Sequence, residues 1–197
     1  MCAVLGYSGT YNPEIVSRLI ENSRIRGVHS FGYSFCAENA LKTRKFLSFK
    51  EFLSSINSEA PSVFIAHLRY STSGDYRDER NNQPLQNGNL AIAFNGVISQ
   101  KTKSEIEKEY GVDMPSDNDG YVLLQKYNDK DFVSSRKPTF AAVGIKDGKL
   151  FGLRNKKRPL WRSSSAGSTI FASTKDIFER SGIKECELIR AGSIYEQ

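Results

Sequence analysis

The chain enters a sheet almost at once. Ala3-Val4-Leu5-Gly6-Tyr7 is a short apolar run two residues from the start, followed by a Ser/Gly/Thr/Asn turn and a helix that starts at Pro13. A strand in that place ties the first residues into a packed layer instead of leaving them free. In the helix, Ile15, Val16, Leu19 and Ile20 share one face by their spacing. Residues 30–36, alternating with aromatics, predict a strand, and Ser48 with Glu51 forms a capping-box pattern that opens a second helix through about Ile56. Residues 63–68 form a compact apolar strand. The next strand, over 90–94, arrives only after the polar stretch 71–88, which has the length of a lid or binding loop.

Two helical stretches follow, over 103–110, ended by Gly111, and over 119–127. The last third changes character. Residues 140–145 and 150–154 flank Lys146-Asp147-Gly148-Lys149, whose Asp-Gly pair is a hairpin signal. Further strands are predicted at 169–172, 187–190 and 193–195, with a short helix over 175–180. No repeat, low-complexity tract or linker interrupts the 197 residues, so one domain over 1–197 is expected. Strands clustered at both ends, with helices between and outside them, predict an α+β sandwich of sheets covered by helices.

A chain that is 39% hydrophobic and 25% charged, with 15 Gly and 6 Pro, is in the range of one globular domain that buries its own core. No apolar run approaches the roughly 20 residues that span a bilayer, and the start lacks the basic-then-apolar layout of a secretory signal. A soluble, cytoplasmic protein without membrane attachment is expected. Cys2, Cys36 and Cys186 are odd in number, far apart and never arranged as C-x-x-C, which argues against a disulfide framework and a zinc site. The net charge of +6 would suit an anionic partner, but the basic residues are scattered among acidic ones except at Arg154, Lys156, Lys157 and Arg158. A solvated basic loop is favoured there over a nucleic-acid patch.

Cys2 carries the chemistry that this layout holds in place. An initiator Met is removed when the second residue is small, and cysteine qualifies, so the mature chain is expected to begin at Cys2. A terminal cysteine has a thiol and an α-amine of pKa about 7.7 to 8.0 on one residue, and the amine can act as general base for its own thiol. No Cys-His pair is then needed. Of the two histidines, His29 and His67, His67 sits in an apolar strand pattern and is expected to be a satisfied core histidine.

From Cys2 onward, an ordered set of motifs resembles the class II glutamine amidotransferase domain, a branch of the N-terminal-nucleophile hydrolases. The set is Met1-Cys2 running into a strand, Arg26-Gly27, Ile65-Ala66-His67-Leu68-Arg69-Tyr70-Ser71-Thr72-Ser73-Gly74, Asn82-Gln83-Pro84, Phe94-Asn95-Gly96-Val97-Ile98 and Ser116-Asp117-Asn118-Asp119. Each string is common alone; their order and spacing carry the resemblance over nearly the whole chain. It implies a four-layer αββα sandwich with two mainly antiparallel sheets.

The resemblance also implies roles. Cys2 is the nucleophile, and the Asn95 side chain and Gly96 N–H are the oxyanion donors. Arg69 grips the α-carboxylate of L-glutamine and Asp119 pairs with its ammonium; Arg26, Tyr70 and Thr72 belong to the substrate-binding set, with Tyr70 and Thr72 at the hinge side of a loop that closes over glutamine. Asp117 is the alternative ammonium partner, a helix cap is the plain reading of either aspartate, and Asn-Gly alone would be read as a tight turn. Cofactors and metals are not required for this half-reaction. Family members usually carry a second domain that uses the ammonia, so a separate synthetase or transferase chain is the expected acceptor. The alternatives are an amidohydrolase for another γ-glutamyl or amide substrate and a catalytically silent regulatory subunit of the same fold. Phe94, His29 and Tyr121 depart from residues frequent in the family, which makes this a divergent member.

Overall fold

The computed structural model describes residues 1–38, 40–71, 74–135, 137–165 and 167–197. Along the chain run β1 (Ala3–Ser8), α1 (Pro13–Ser23), β2 (Ser30–Ala37), β3 (Ala40–Phe46), α2 (Phe49–Glu59), β4 (Val63–Arg69), β5 (Leu85–Asn87), β6 (Leu90–Val97), α3 (Lys103–Tyr110), α4 (Gly120–Lys126) and α5 (Lys130–Ser134). They are followed by β7 (Thr139–Lys146), β8 (Lys149–Arg154), β9 (Trp161–Ser165), β10 (Ser168–Ala172), α6 (Lys175–Arg180), β11 (Glu187–Leu188) and β12 (Ile194–Glu196). Among the described residues, no helix is long and apolar enough to cross a membrane.

Local signals set the helix ends. Asn12 caps α1 by accepting from the Ile15 N–H, with Pro13 in the first turn, where its missing N–H costs nothing. Thr102 and Glu105 form a capping box on α3, and Gly111 closes it in the left-handed region. Asp147 and Gly148, both at positive φ, turn β7 into β8 through the two-residue hairpin that the Asp-Gly pair predicts.

The strands form a seven-stranded sheet, in the order β11-β9-β10-β1-β4-β2-β3, and a five-stranded sheet, in the order β12-β8-β7-β6-β5. Every pairing is antiparallel. Alternation along each strand sorts its side chains into layers. In β1, Ala3, Leu5 and Tyr7 pack with α1, α2 and α6, whereas Val4 faces the other sheet. In β6, Leu90, Ile92 and Phe94 pack with α3, α4 and α5, whereas Ala91 and Ala93 face inward between the sheets. The result is the expected α+β sandwich of four layers, helices outside two face-to-face sheets.

Some elements differ from the sequence expectation. Lys42, Arg44 and Lys45 mask β3, an edge strand half exposed beside β2, and β9 lies in a serine-rich segment without an apolar alternation. The stretch 71–88 is not wholly irregular: it holds a short 3-10 turn at Glu79–Asn81 and then β5. Asn95-Gly96 is not a tight turn either. Both residues lie within β6, opposite Ala141 and Phe140 of β7.

Candidate active site

The β1–β4 register assembles one half of the site. Val4 pairs with His67 and Ala3 with Leu68, so one step further along the same ladder brings Cys2 level with Arg69. By alternation, Cys2 and Val4 share the inter-sheet face of β1, and Ile65, His67 and Arg69 share that of β4. The Cys2 thiol donates to the Tyr70 carbonyl at 3.7 Å. Burial pushes the thiol pKa up, opposed by that bond and by the nearby positive charges of the chain's amino terminus, Arg69 and Arg26. A thiol in this environment stays protonated at neutral pH unless a base takes its proton.

Across the gap, β6 supplies the other half. Asn95, 4% exposed, continues the inter-sheet face of Ala91 and Ala93 but is not among the residues that line the cleft with Cys2. Gly96 follows at φ 158°, with its backbone so close to β7 that a Cβ would collide with the Thr139 carbonyl. Only glycine fits there. The Asp119 carboxylate accepts from the Ile98 N–H at 2.6 Å and from the Ser99 N–H at 3.1 Å, which ties the start of α4 to the end of β6. Burial raises the Asp119 pKa, and the two amides pull it back.

Cys2, Arg69, Tyr70, Gly96 and Asp119 line a single cleft of about 530 Å³ between the two sheets. Asp117 also reaches it but is exposed, so Asp119 is the aspartate whose carboxylate is held in the wall. Tyr70 is 46% exposed at the rim. Arg26 does not line the cleft; its Nε donates to the Cys2 carbonyl at 3.2 Å, steadying the backbone of Cys2. Thr72 lies outside the described residues.

Three residues quoted above without a site role, or with the wrong one, turn out to organise the cleft. Asn82 accepts from Arg69 Nη1 at 2.7 Å and from the Ser30 hydroxyl at 2.8 Å, and donates to the Tyr76 carbonyl at 2.7 Å. Gln83 accepts from the Phe94 N–H at 2.7 Å, which fixes the approach of β6 to Asn95. Their signal was the Asn-Gln-Pro string itself. His67 is buried, as expected, but it is not satisfied: neither ring nitrogen makes a hydrogen bond of ordinary geometry. Burial and the Arg69 charge push its pKa down to about 3, with a weaker opposing effect from the Phe94 backbone. Conversely, the Arg154 guanidinium donates to the carbonyls of Ile189, Asn155 and Arg158, so part of the basic segment braces its own loop. Trp161 packs against the core beneath α1, α2 and α6.

A family model described as a glutamine amidotransferase domain matches residues 67–180, more than half of the chain. The chain belongs to that family, in its class II branch. The matched residues include Arg69, Asn95, Gly96 and Asp119 and begin after Cys2. A glutamine–fructose-6-phosphate aminotransferase of Shewanella oneidensis is 30% identical over 131 residues, covering 62% of this amidotransferase and 21% of the relative. Among solved structures, the glutamine phosphoribosylpyrophosphate amidotransferase of B. subtilis aligns over 100% of this chain and 49% of its own, with a TM-score of 0.70 at 19% identity. A class II glutamine aminotransferase domain protein from Silicibacter pomeroyi aligns over 99% and 94%, with a TM-score of 0.64 at 11% identity. These structures share the fold, including the layer that carries Cys2. The chain spans about a fifth of the curated relative's length and about half of the B. subtilis chain.

Proposed function

We propose that this amidotransferase hydrolyses the side-chain amide of glutamine with Cys2 as the nucleophile and passes on the ammonia. The observation that carries the reading is the cleft itself: Cys2 and Arg69, level on neighbouring strands of one sheet, face Gly96 of the other, with Asp119 in the same wall.

Removal of Met1, 62% exposed, would free the Cys2 α-amine. Burial keeps the thiol protonated, so the amine takes its proton and the thiolate attacks the amide carbon. The oxyanion lies toward the Asn95 amide and the Gly96 N–H, each donor of this kind contributing about 3 to 4 kcal/mol of barrier reduction. The proton returns to the leaving nitrogen, ammonia departs, water cleaves the glutamyl thioester, and glutamate is released. Arg69, held by Asn82, takes the α-carboxylate, and Asp119 takes the ammonium. The ammonia goes to a synthetase or transferase active site, which we place on a separate chain.

Glutamate release from glutamine, measured with the N-terminal mass, alone and with candidate partners, tests this. Active protein should begin at Cys2, and Cys2→Ala should lower turnover by about 10⁴-fold or more. The rate should rise as the α-amine loses its proton near pH 7.7 to 8.0. Active protein that retains Met1 would sink the mechanism.

A further inference from the structure

The two charged groups that the glutaminase reading assigns to the amino-acid end of the substrate come from different parts of the fold. Arg69 ends β4 in the seven-stranded sheet, whereas Asp119 stands at the start of α4 and is fastened to the end of β6 in the five-stranded one. A carboxylate and an ammonium on one α-carbon sit a fixed distance apart, so the gap between Arg69 and Asp119 has to match it. The ladder of neither sheet sets that gap, because each sheet carries only one of the two groups.

Residues 80–82 supply the link. The Ser116 hydroxyl donates to the Arg80 carbonyl at 3.0 Å, and Asn118 Nδ2 donates to the Asn81 carbonyl at 2.9 Å. The next side chain along, that of Asn82, accepts from Arg69 Nη1 at 2.7 Å. The path from guanidinium to carboxylate therefore runs through Asn82, along the backbone to Asn81, across to Asn118 and on to Asp119.

Asn118 is the joint of this path. Its Oδ1 accepts from the Gly120 N–H at 2.9 Å, as a capping side chain does at the start of a helix. A cap needs only an acceptor, so serine or aspartate would serve there. What asparagine adds is a donor on the same planar group, used on a carbonyl of a distant segment, and the planarity fixes one bond relative to the other. The residue is half-buried and lines the cleft together with Arg69, Asn81 and Asp119.

We propose that Asn118 is a positioning residue that sets the gap between Arg69 and Asp119, and through it the preference of the site for a substrate carrying both an α-carboxylate and an α-ammonium. It touches neither group of the substrate; it keeps Asp119 in register with the clamp that Asn82 holds. This rests on the glutaminase reading, which assigns the two ends.

The test compares glutamine with the monoamide of glutaric acid, which has the same amide and a carboxylate but no ammonium, on the full chain. Wild-type protein should prefer glutamine. Asn118→Ala should lower kcat/KM for glutamine by about 10- to 100-fold, mostly through KM, and for the monoamide by less than about 3-fold, so that the preference collapses. Asn118→Ser keeps an acceptor for the Gly120 N–H and is too short to reach the Asn81 carbonyl, so it should lose the preference as the alanine variant does; it also decides the matter should Asn118→Ala fail to fold. Equal losses on both substrates, or a serine variant with the wild-type preference, would mean that Asn118 only caps α4 and would overturn the assignment alone. Wild-type protein inert to both substrates would overturn the glutaminase reading and this inference with it.

Discussion

A single buried imidazole couples the site to the stability of the fold. His67 has a folded pKa of about 3 against an ordinary value of 6.5, because burial and Arg69 disfavour its charged form. The unfolded chain therefore binds the extra proton between those limits, so stability falls as pH falls. The sign is that of a depressed group: the full contribution is present above about 6.5, and the loss runs from there down to about 3, at up to about 1.4 kcal/mol per pH unit. Denaturant unfolding at pH 7 and pH 5 should differ by about 2 kcal/mol more in the wild type than in His67→Leu. Equal pH dependence in the two proteins would show that His67 is not the group that binds the proton. The position of this residue was legible in the sequence, since an apolar strand pattern around a histidine implies burial. Its lack of partners was not, because satisfaction depends on what β6 brings across the gap, and no spacing along β4 encodes that.

At the level of elements, the segment after β4 is fastened by a ring stack that no strand or helix pattern announces. His29 lies between Tyr70, at 4.9 Å, and Tyr76, at 5.2 Å, and its Nδ1 accepts from the Ser71 N–H at 2.9 Å. Its backbone N–H donates to the Arg69 carbonyl at 3.0 Å. One residue, by its backbone and its ring, thus holds Arg69 and Ser71 on either side of Tyr70, where the chain leaves β4. A hydrogen bond of about 0.5 to 1.5 kcal/mol and ring contacts of similar worth suggest that His29→Ala raises KM for glutamine by about 5- to 100-fold with kcat much less affected. His29→Asn, which keeps an acceptor, should lie between; steady-state kinetics with an unchanged thermal midpoint would separate this from general destabilisation. Most elements around the site were readable because their causes are local. Pro13 after Asn12, Ser48 with Glu51 and the Asp147-Gly148 turn each act over four residues or fewer. β3 and β9 were not readable: an edge strand rich in lysine and arginine and a serine-rich strand form because a neighbour offers hydrogen bonds, a cause that lies elsewhere in the chain. Asn95-Gly96 has the composition of a turn and stays in β6 because β7 pairs with it through Thr139.

For the whole molecule, the spacing of the two sheets determines whether the site exists. Cys2, at the start of β1, and Arg69 stand on one sheet and Asn95 and Gly96 lie in the other, so the distance between the proposed nucleophile and the proposed oxyanion donors is an inter-sheet distance. Glycines set part of that distance. A Cβ on Gly152 of β8 would stand 2.6 to 3.0 Å from the Phe171 ring of β10, and one on Gly6 of β1 would stand 3.0 Å from Leu150 of β8. Each sheet therefore receives a large side chain of the other against bare backbone, which lets the layers interdigitate. Gly152→Ala should push Phe171 and its strand away, costing about 1 to 3 kcal/mol by overpacking. A displacement of about 1 Å between reacting groups can cost on the order of 100-fold in rate, so turnover should fall further than the stability loss alone would produce. Ile56→Val, on the buried face of α2 in the outer core, offers a control: it should cost about 0.5 to 1.5 kcal/mol and leave kcat unchanged well below the melting range. Adding Phe171→Leu to Gly152→Ala removes the ring that the new methyl meets and should restore part of both stability and turnover. A Gly152→Ala protein that loses stability but keeps wild-type kcat would separate sheet spacing from catalysis, and the geometry of the site would then have to be held by β4 and β6 alone.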